Sequence, residues 1–386
     1  MKRKICFFTG TRAEFGLLST LMHMVDQCED CQLQIIATNM HLSPEYGLTY
    51  KEIETEGLKI DKKVEMLLSS DTANGTVKSM GLATIGFADA LEDLKPDLCV
   101  ILGDRYEMLA AAQAALIYKI PIAHLGGGDI TEGAYDDAIR HCITKMSHLH
   151  FTSTEECRKR IIQMGEIPEH VFWTGGICVE EFKNTPIMSK EELEASLNFE
   201  LGEKFLLITF HPVTMEENTA EGQCADLLRA LENINDEYKL LFTLPNSDTG
   251  GRIIISHIND FVKNNRSRRY SIPSLGKKRY YAALKYATAV IGNSSSGLLE
   301  APSFHIPTLN IGNRQKGRAH GESVIDVAAN YESIAKGLHK ILSSDFIEFA
   351  KIAKNPYEKE GGKETTFNVI TQYPLDKLIP KKFYNL

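Results

Sequence analysis

The sequence predicts an α/β protein made of two doubly wound, Rossmann-like domains, each with a parallel sheet. Three observations predict it. Short apolar runs recur along the chain, and most end in glycine, proline or a small polar residue, as buried parallel strands do. Between them lie stretches with apolar residues at helical spacing, and this alternation makes a parallel sheet covered on both faces. The length of 386 residues suits about two domains.

The elements follow in order. Lys4–Thr9 is a strand ending in Gly10, and Glu14–Val25 is a helix with Phe15, Leu18, Leu21, Met22 and Val25 along its apolar face. Leu33–Thr38 is the next strand. Leu98–Leu102 ends in Gly103-Asp104-Arg105 and leads into the alanine-rich helix Met108–Tyr118. Ile120–Leu125 ends in Gly126-Gly127-Gly128-Asp129, then Tyr135–Met146 is a helix, and the strands Leu149–Thr152 and Val171–Thr174 complete the first set. The second set is Phe205–Phe210 before His211-Pro212, Leu240–Leu244 before Pro245-Asn246, Ala289–Ile291 before Gly292, and Pro307–Ile311 before Gly312. The polar stretch Lys183–Gly202 sets the boundary: a first domain over 1–182 and a second over 183–363. A C-terminal helix over 364–386 is expected to pack back on the first domain. In such sheets ligands bind at the carboxyl ends of the strands, so a cleft lined by those ends is the expected site.

Composition excludes several classes. Hydrophobic residues at 43% and charged residues at 24% describe a soluble globular chain. No apolar run approaches the roughly 18 residues of a membrane helix. Ile5–Phe8, after the basic start, is too short for a signal peptide, and the chain reads as cytoplasmic. With 43 Lys and Arg against 51 Asp and Glu, the charge of -8 argues against a nucleic-acid partner. A small anionic ligand then needs locally concentrated cations. Eight scattered cysteines are too few for a disulfide framework, and Cys28-Glu29-Asp30-Cys31 has no second ligand pair to make a zinc site. No metal and no cofactor are expected.

The residues at the strand ends carry the chemistry. Thr9-Gly10-Thr11-Arg12 is either an ordinary turn with a surface arginine or a phosphate seat, formed by a helix N-terminus and a forked cation. Gly292 to Gly297, with Ser294, Ser295 and Ser296, offers hydroxyls and amides at a helix start; one serine would serve as a helix cap, and three suit a diphosphate. Glu300, one turn later, is in reach of ribose hydroxyls. Asp104 either caps a helix or stands at the ligand-bearing edge. Asp136 and Arg140 are four apart on one helical face, a solvated ion pair or part of a site with His124, Asp129 and His141. His211 is a structural histidine or an acid–base group near neutral pH. Arg314, Lys316 and Arg318 form either a solvated basic loop or an anion site. Together these read as a nucleotide-sugar enzyme.

Six motifs in this order, Gly10-Thr11-Arg12-Ala13-Glu14, Gly103-Asp104-Arg105, Asp136-Asp137-Ala138-Ile139-Arg140-His141, His211-Pro212-Val213-Thr214, Gly292-Asn293-Ser294-Ser295 and Arg314-Gln315-Lys316-Gly317-Arg318, resemble those of the hydrolysing UDP-N-acetylglucosamine 2-epimerases. The resemblance implies the GT-B architecture and a reaction that turns UDP-N-acetylglucosamine and water into N-acetylmannosamine and UDP through 2-acetamidoglucal, for sialic acid synthesis. A subgroup acts on UDP-N,N'-diacetylbacillosamine, for legionaminic acid synthesis. It further implies Asp104 and Asp136 as acid–base groups, with Asp129 as a further candidate and His211 near the leaving group or the hydrating water. Substrate contacts then come from Arg12, Arg105, His124, Arg140, His141, Ser294, Ser295, Ser296, Gly297, Glu300, Arg314 and Arg318. Relatives are homodimers or homotetramers. Where many relatives carry His-x-Glu-Gly-Gly-Glu, this chain has His124-Leu125-Gly126-Gly127-Gly128-Asp129, so the first glutamate is absent and the second is shortened. More distant alternatives are a glycosyltransferase of the same architecture and a non-catalytic UDP-sugar sensor.

Overall fold

The computed structural model describes residues 2–68, 70, 72–177, 179, 182, 186–213, 216, 219–245 and 250–386. Lys183 at the expected boundary, Thr214 of the fourth motif and Asn246 after the Leu240 strand lie outside the described residues.

The chain divides into two compact units, one of residues 1–129, 136–181 and 359–386, the other of residues 130–135 and 182–358. The first holds the strands β1 (Arg3–Thr9), β2 (Cys31–Thr38), β3 (Lys62–Val64), β4 (Leu98–Leu102), β5 (Ile122–Leu125), β6 (Leu149–Thr152) and β7 (Val171–Trp173). They form one sheet in the order β3-β2-β1-β4-β5-β6-β7, every pairing parallel. Its helices include α1 (Arg12–Asp26), α2 (Tyr50–Thr55), α3 (Ala73–Leu94), α4 (Tyr106–Ile117), α5 (Asp136–Met146) and α6 (Glu155–Gln163).

Side-chain alternation explains why both faces are covered. Ile5 and Phe7 of β1 enter the core that α1 closes, whereas Cys6 and Phe8 enter the core built with α3 and α4. The alanines of α4, Ala110, Ala111, Ala112, Ala114 and Ala115, are all buried and let that helix lie close on the sheet. The strand order reverses at β1 and β4, so the loops after these two strands open at the switch point.

The second unit repeats the plan with β8 (Lys204–Thr209), β9 (Tyr238–Thr243), β10 (Arg269–Ile272), β11 (Ala289–Gly292), β12 (Thr308–Ile311) and β13 (Val324–Val327), in the order β10-β9-β8-β11-β12-β13. Its switch point lies at β8 and β11, the strands that precede His211 and Asn293. Gly292 is required at the end of β11: its φ is +132°, and a Cβ there would stand 1.9 Å from the Thr209 carbonyl oxygen of β8.

The C-terminal helix is shorter than the expected 364–386. It runs Gly362–Gln372, because Pro374 stops it, and the residues after it continue as turns and extended chain on the first unit.

Candidate active site

The loops at the β1–β4 switch point hold one cluster of charged groups in the first unit. Thr11 caps α1, and Glu14 reaches back to accept the Gly10 and Thr11 amides at 2.7 and 3.1 Å. The expected phosphate seat is thus filled from within: a carboxylate of the chain itself already takes the amides of this turn. Arg12, expected at a phosphate, pairs with Glu52 at 2.5 Å. Gly10 brings its turn close to α4, since a Cβ there would lie 2.5 Å from Glu107 Oε1. Glu107 is fully buried and accepts Arg105 Nε at 2.8 Å. Burial, then the neighbouring Glu107 charge, pushes the Glu14 carboxyl well above the usual range, against the pull of Arg105 and the two amides.

Arg140 is the hub of this cluster. It is 1% exposed, and its Nη2 donates to Asp104 while its Nη1 donates to the Asp129 carbonyl at 2.9 Å and to Asp137 Oδ1 at 3.1 Å. Burial works against its charge, but Asp104, Asp129 and Asp137 outweigh it and hold the guanidinium protonated. Arg140, expected as a substrate contact, gives these donors to Asp104, Asp137 and the Asp129 carbonyl. The spacing argument paired it with Asp136; the structure shows it bonded to Asp137 and Asp104. Asp104 keeps 22% of its side chain exposed, so the clamp fixes a carboxylate that still faces outward. Asp136 opens α5 and is half-buried.

His124 is the next expected substrate contact. It is fully buried; its Nε2 lies 2.8 Å from the Gly103 carbonyl and its Nδ1 3.2 Å from the Thr144 hydroxyl. The carbonyl only accepts, so Nε2 carries the proton. Burial lowers this ring to about 3, leaving a neutral pin under the Asp104 loop. His141 lies 3.5 Å from Asp137 and is lowered mainly by burial. The Asp129 carboxylate accepts the Ser153 hydroxyl at 3.3 Å and the Cys157 thiol at 3.0 Å, which ties it to the start of α6.

The second cluster lies in the second unit, at the β8–β11 switch point. Asn293 is fully buried; its side chain accepts the His211 amide at 2.7 Å and donates to the His211 carbonyl at 2.8 Å. Its own carbonyl accepts Arg314 Nη1 at 3.1 Å and Gln315 Nε2 at 3.0 Å. One asparagine therefore joins the His211, Ser294 and Arg314 loops. Ser294 Oγ accepts the Ser296 amide at 3.4 Å, the Ser296 hydroxyl meets Tyr280, and Gly297 accepts Thr308 Oγ1 at 2.9 Å through its carbonyl. Ser295 is half-buried at the start of the short helix. Arg318 donates to Gln315 Oε1 at 3.1 Å. Glu300 is buried, and burial pushes its carboxyl up to about 8.

Sequence reasoning did not single out Glu14, Glu107, Asp137 or Asn293 as site-building residues. Glu14, Asp137 and Asn293 stood in the motifs beside the chosen residues, and burial, which sets Glu14 and Glu107 apart, has no one-residue sequence mark. Among the described residues no group of three or more His, Cys, Asp or Glu could hold a metal ion, and no helix is long and apolar enough to cross a membrane.

Residues 23–371 match the protein family described as UDP-N-acetylglucosamine 2-epimerase. The chain belongs to that family. The GDP/UDP-N,N'-diacetylbacillosamine 2-epimerase (hydrolyzing) of Campylobacter jejuni subsp. jejuni serotype O:2 is 45% identical over 345 residues, 89% of each chain. The UDP-N,N'-diacetylbacillosamine 2-epimerase (hydrolyzing) of Legionella pneumophila subsp. pneumophila is 34% identical over 382 residues, 99% of each. Among solved structures, S. aureus MnaA with UDP superposes with a TM-score of 0.81 at 18% identity, covering 100% of both chains. That likeness is one of fold, and with the two parallel sheets it bears out the GT-B expectation for this epimerase-family chain.

Proposed function

We propose that the chain hydrolyses a UDP-2-acetamido sugar with inversion at C2. In this reading a carboxylate takes the C2 proton as the C1–O bond breaks and its electron pair leaves with UDP, giving a 2-acetamidoglucal. Water then adds across the double bond, oxygen at C1 and a proton at C2 from the opposite side. The observation that carries it is the clamp of buried Arg140 on Asp104, whose side chain is 22% exposed, which gives an oriented carboxylate at the ligand-bearing edge of the sheet. Asp136 is the second acid–base candidate, and Asp129 supports the cluster through its bonds to α6. The Ser294–Gly297 turn with Arg314 and Arg318 suits the diphosphate, Glu300 the ribose, and His211 the leaving group.

The names of the two relatives favour UDP-N,N'-diacetylbacillosamine as substrate, giving 2,4-diacetamido-2,4,6-trideoxymannose. The family description favours UDP-N-acetylglucosamine, giving N-acetylmannosamine. The test incubates the enzyme in deuterium oxide with each UDP-sugar, and with a GDP-sugar because one relative's name carries both nucleotides. Deuterium at C2 of a free sugar supports the reading; no release of nucleotide from any of them sinks it.

In the same reading the chain works in the cytoplasm, and the free, mostly buried thiols among the described residues suit a reducing compartment. It assembles as a homodimer or homotetramer. Val77 and Ile85 on α3 and Ile117 at the end of α4 are 66%, 65% and 78% exposed, an apolar surface that a second copy would cover. Sedimentation as a monomer would remove that part of the proposal.

A further inference from the structure

The end of the chain lies on the first unit at the C-terminal end of α5. The Lys381 ammonium donates to the carbonyls of Ser147 at 2.6 Å, Lys145 at 2.7 Å and Thr144 at 3.4 Å, and meets Glu166 Oε2 at 2.7 Å. Glu166 is 3% exposed and also receives Lys145 at 2.6 Å and lies 3.0 Å from His150 Nε2. Two residues on, the Phe383 ring covers Gly165 so closely that a Cβ there would stand 2.4 Å from Cζ. The Lys145 ammonium lies 4.8 Å from that ring, and the Tyr384 amide donates to the Gly165 carbonyl at 2.9 Å.

The last carbonyls of a helix have no partner within it, and a cation there also meets the negative end of the dipole. Lys381 supplies both. The other end of α5 begins with Asp136 and Asp137 and carries Arg140 one turn on, the residue that holds Asp104. Asp136–Met146 contains no glycine or proline, so at a rise of about 1.5 Å per residue it is a stiff rod of about 16 Å.

We propose that residues 381–384 are a positioning strap: Lys381 anchors α5 at its C-terminal end and so fixes Arg140, which holds the Asp104 carboxylate, together with Asp136 and Asp137 at the start of the helix. Lys381 is a positioning residue; it touches the helix end and Glu166. The catalytic half of this inference rests on the reading of Asp104 and Asp136 as acid–base groups. Burial pushes the Lys381 amine down to about 8, helped by Lys145 and opposed by Glu166. His148, His150 and His170 also face this charge. A released Lys381 is an ordinary lysine and keeps the proton that the seated amine gives up above about pH 8, so by linkage the strap holds more firmly as pH rises from there.

The test uses the full chain with Lys381→Met and Lys381→Arg, and a chain ending at Pro380 as a further variant. Amide hydrogen exchange is read by mass spectrometry, with turnover, KM and UDP affinity alongside. In Lys381→Met, exchange at 136–141 rises and kcat falls, each about tenfold, while UDP affinity stays within about twofold. Exchange in β1, β4 and β8 does not change. Lys381→Arg restores kcat to within about threefold. Unchanged exchange at 136–141 overturns the proposal, and so does a rise spread over the whole chain, which marks ordinary destabilisation. If the wild-type enzyme turns over no UDP-sugar, the reading of the function falls and the exchange arm still decides on the strap.

Discussion

Asn293 grips His211 by both of its backbone groups, accepting the amide at 2.7 Å and donating to the carbonyl at 2.8 Å. The His211 backbone is thus held in place from a different loop, the one that carries the three serines. A fully buried side chain that makes two hydrogen bonds is costly to truncate.

Replacing Asn293 with alanine leaves the His211 amide and carbonyl without these partners in a buried place. The expected loss of stability is about 1–3 kcal/mol, read from the urea midpoint. UDP affinity falls with it, because Arg314 and Gln315 both lean on the Asn293 carbonyl. Calorimetry that finds wild-type UDP affinity in Asn293→Ala would detach this hub from the nucleotide.

Arg140 and Asp104 separate structure from chemistry. Arg140→Met removes the buried cation that partly exposed Asp104 and Asp137 and buried Asp129 face, and the expected cost is at most about 3–5 kcal/mol in urea unfolding, with turnover lost. Asp104→Asn keeps the shape and an acceptor oxygen, so UDP affinity stays near wild type while turnover disappears. Wild-type turnover in Asp104→Asn would move the base elsewhere.

Most of the central strands were legible in the sequence, and three edge strands were not. β1, β4, β8 and β11 are buried on both faces, and their apolar runs announce them. β3, β10 and β13 lie at sheet edges and read as mixed sequence, because a half-exposed strand such as Arg269–Ile272 does not need an apolar run. The same limit applies to the site. The topology rule located the loops that carry Asp104, His211 and Ser294, since it depends only on strand ends. It did not distinguish outward side chains from inward ones, so it gave no sign that His124 and Arg140 are buried and bonded within the chain. The carboxylate of Glu14 in the Gly10 turn depends on a reach-back across three residues, visible only as a capping pattern.

Glu300 gives a pH dependence with a definite sign. Burial raises its carboxyl from 4.5 to about 8. The folded chain therefore keeps a proton that the unfolded chain releases. Its contribution is fully present below pH 4.5 and is lost as pH rises through about 8. Glu14 is raised in the same direction. Glu300→Gln removes one of these protons from the balance, so its urea midpoint should gain on wild type as pH goes from about 5 to about 8. Parallel midpoint curves over that range would show that Glu300 titrates as an exposed acid does.

Arg12 and Glu14 stand two residues apart, and their removal should have different consequences. The Arg12 ion pair is with a Glu52 that is 38% exposed, so solvent screens it, and Arg12→Ala should cost no more than about 1 kcal/mol of stability. If Arg12 leaves Glu52 for a diphosphate, the same substitution weakens UDP binding well beyond that small structural effect. Glu14→Ala removes the capping box and should destabilise by about 0.5–2 kcal/mol. It also frees the Gly10 and Thr11 amides, so UDP affinity should hold or rise. Thermal unfolding and UDP calorimetry on both variants check this: Arg12→Ala loses affinity with little change in Tm, and Glu14→Ala loses Tm with affinity kept. The reverse pattern would mean that the Glu14 carboxylate, and not the arginine, orders this turn for the nucleotide.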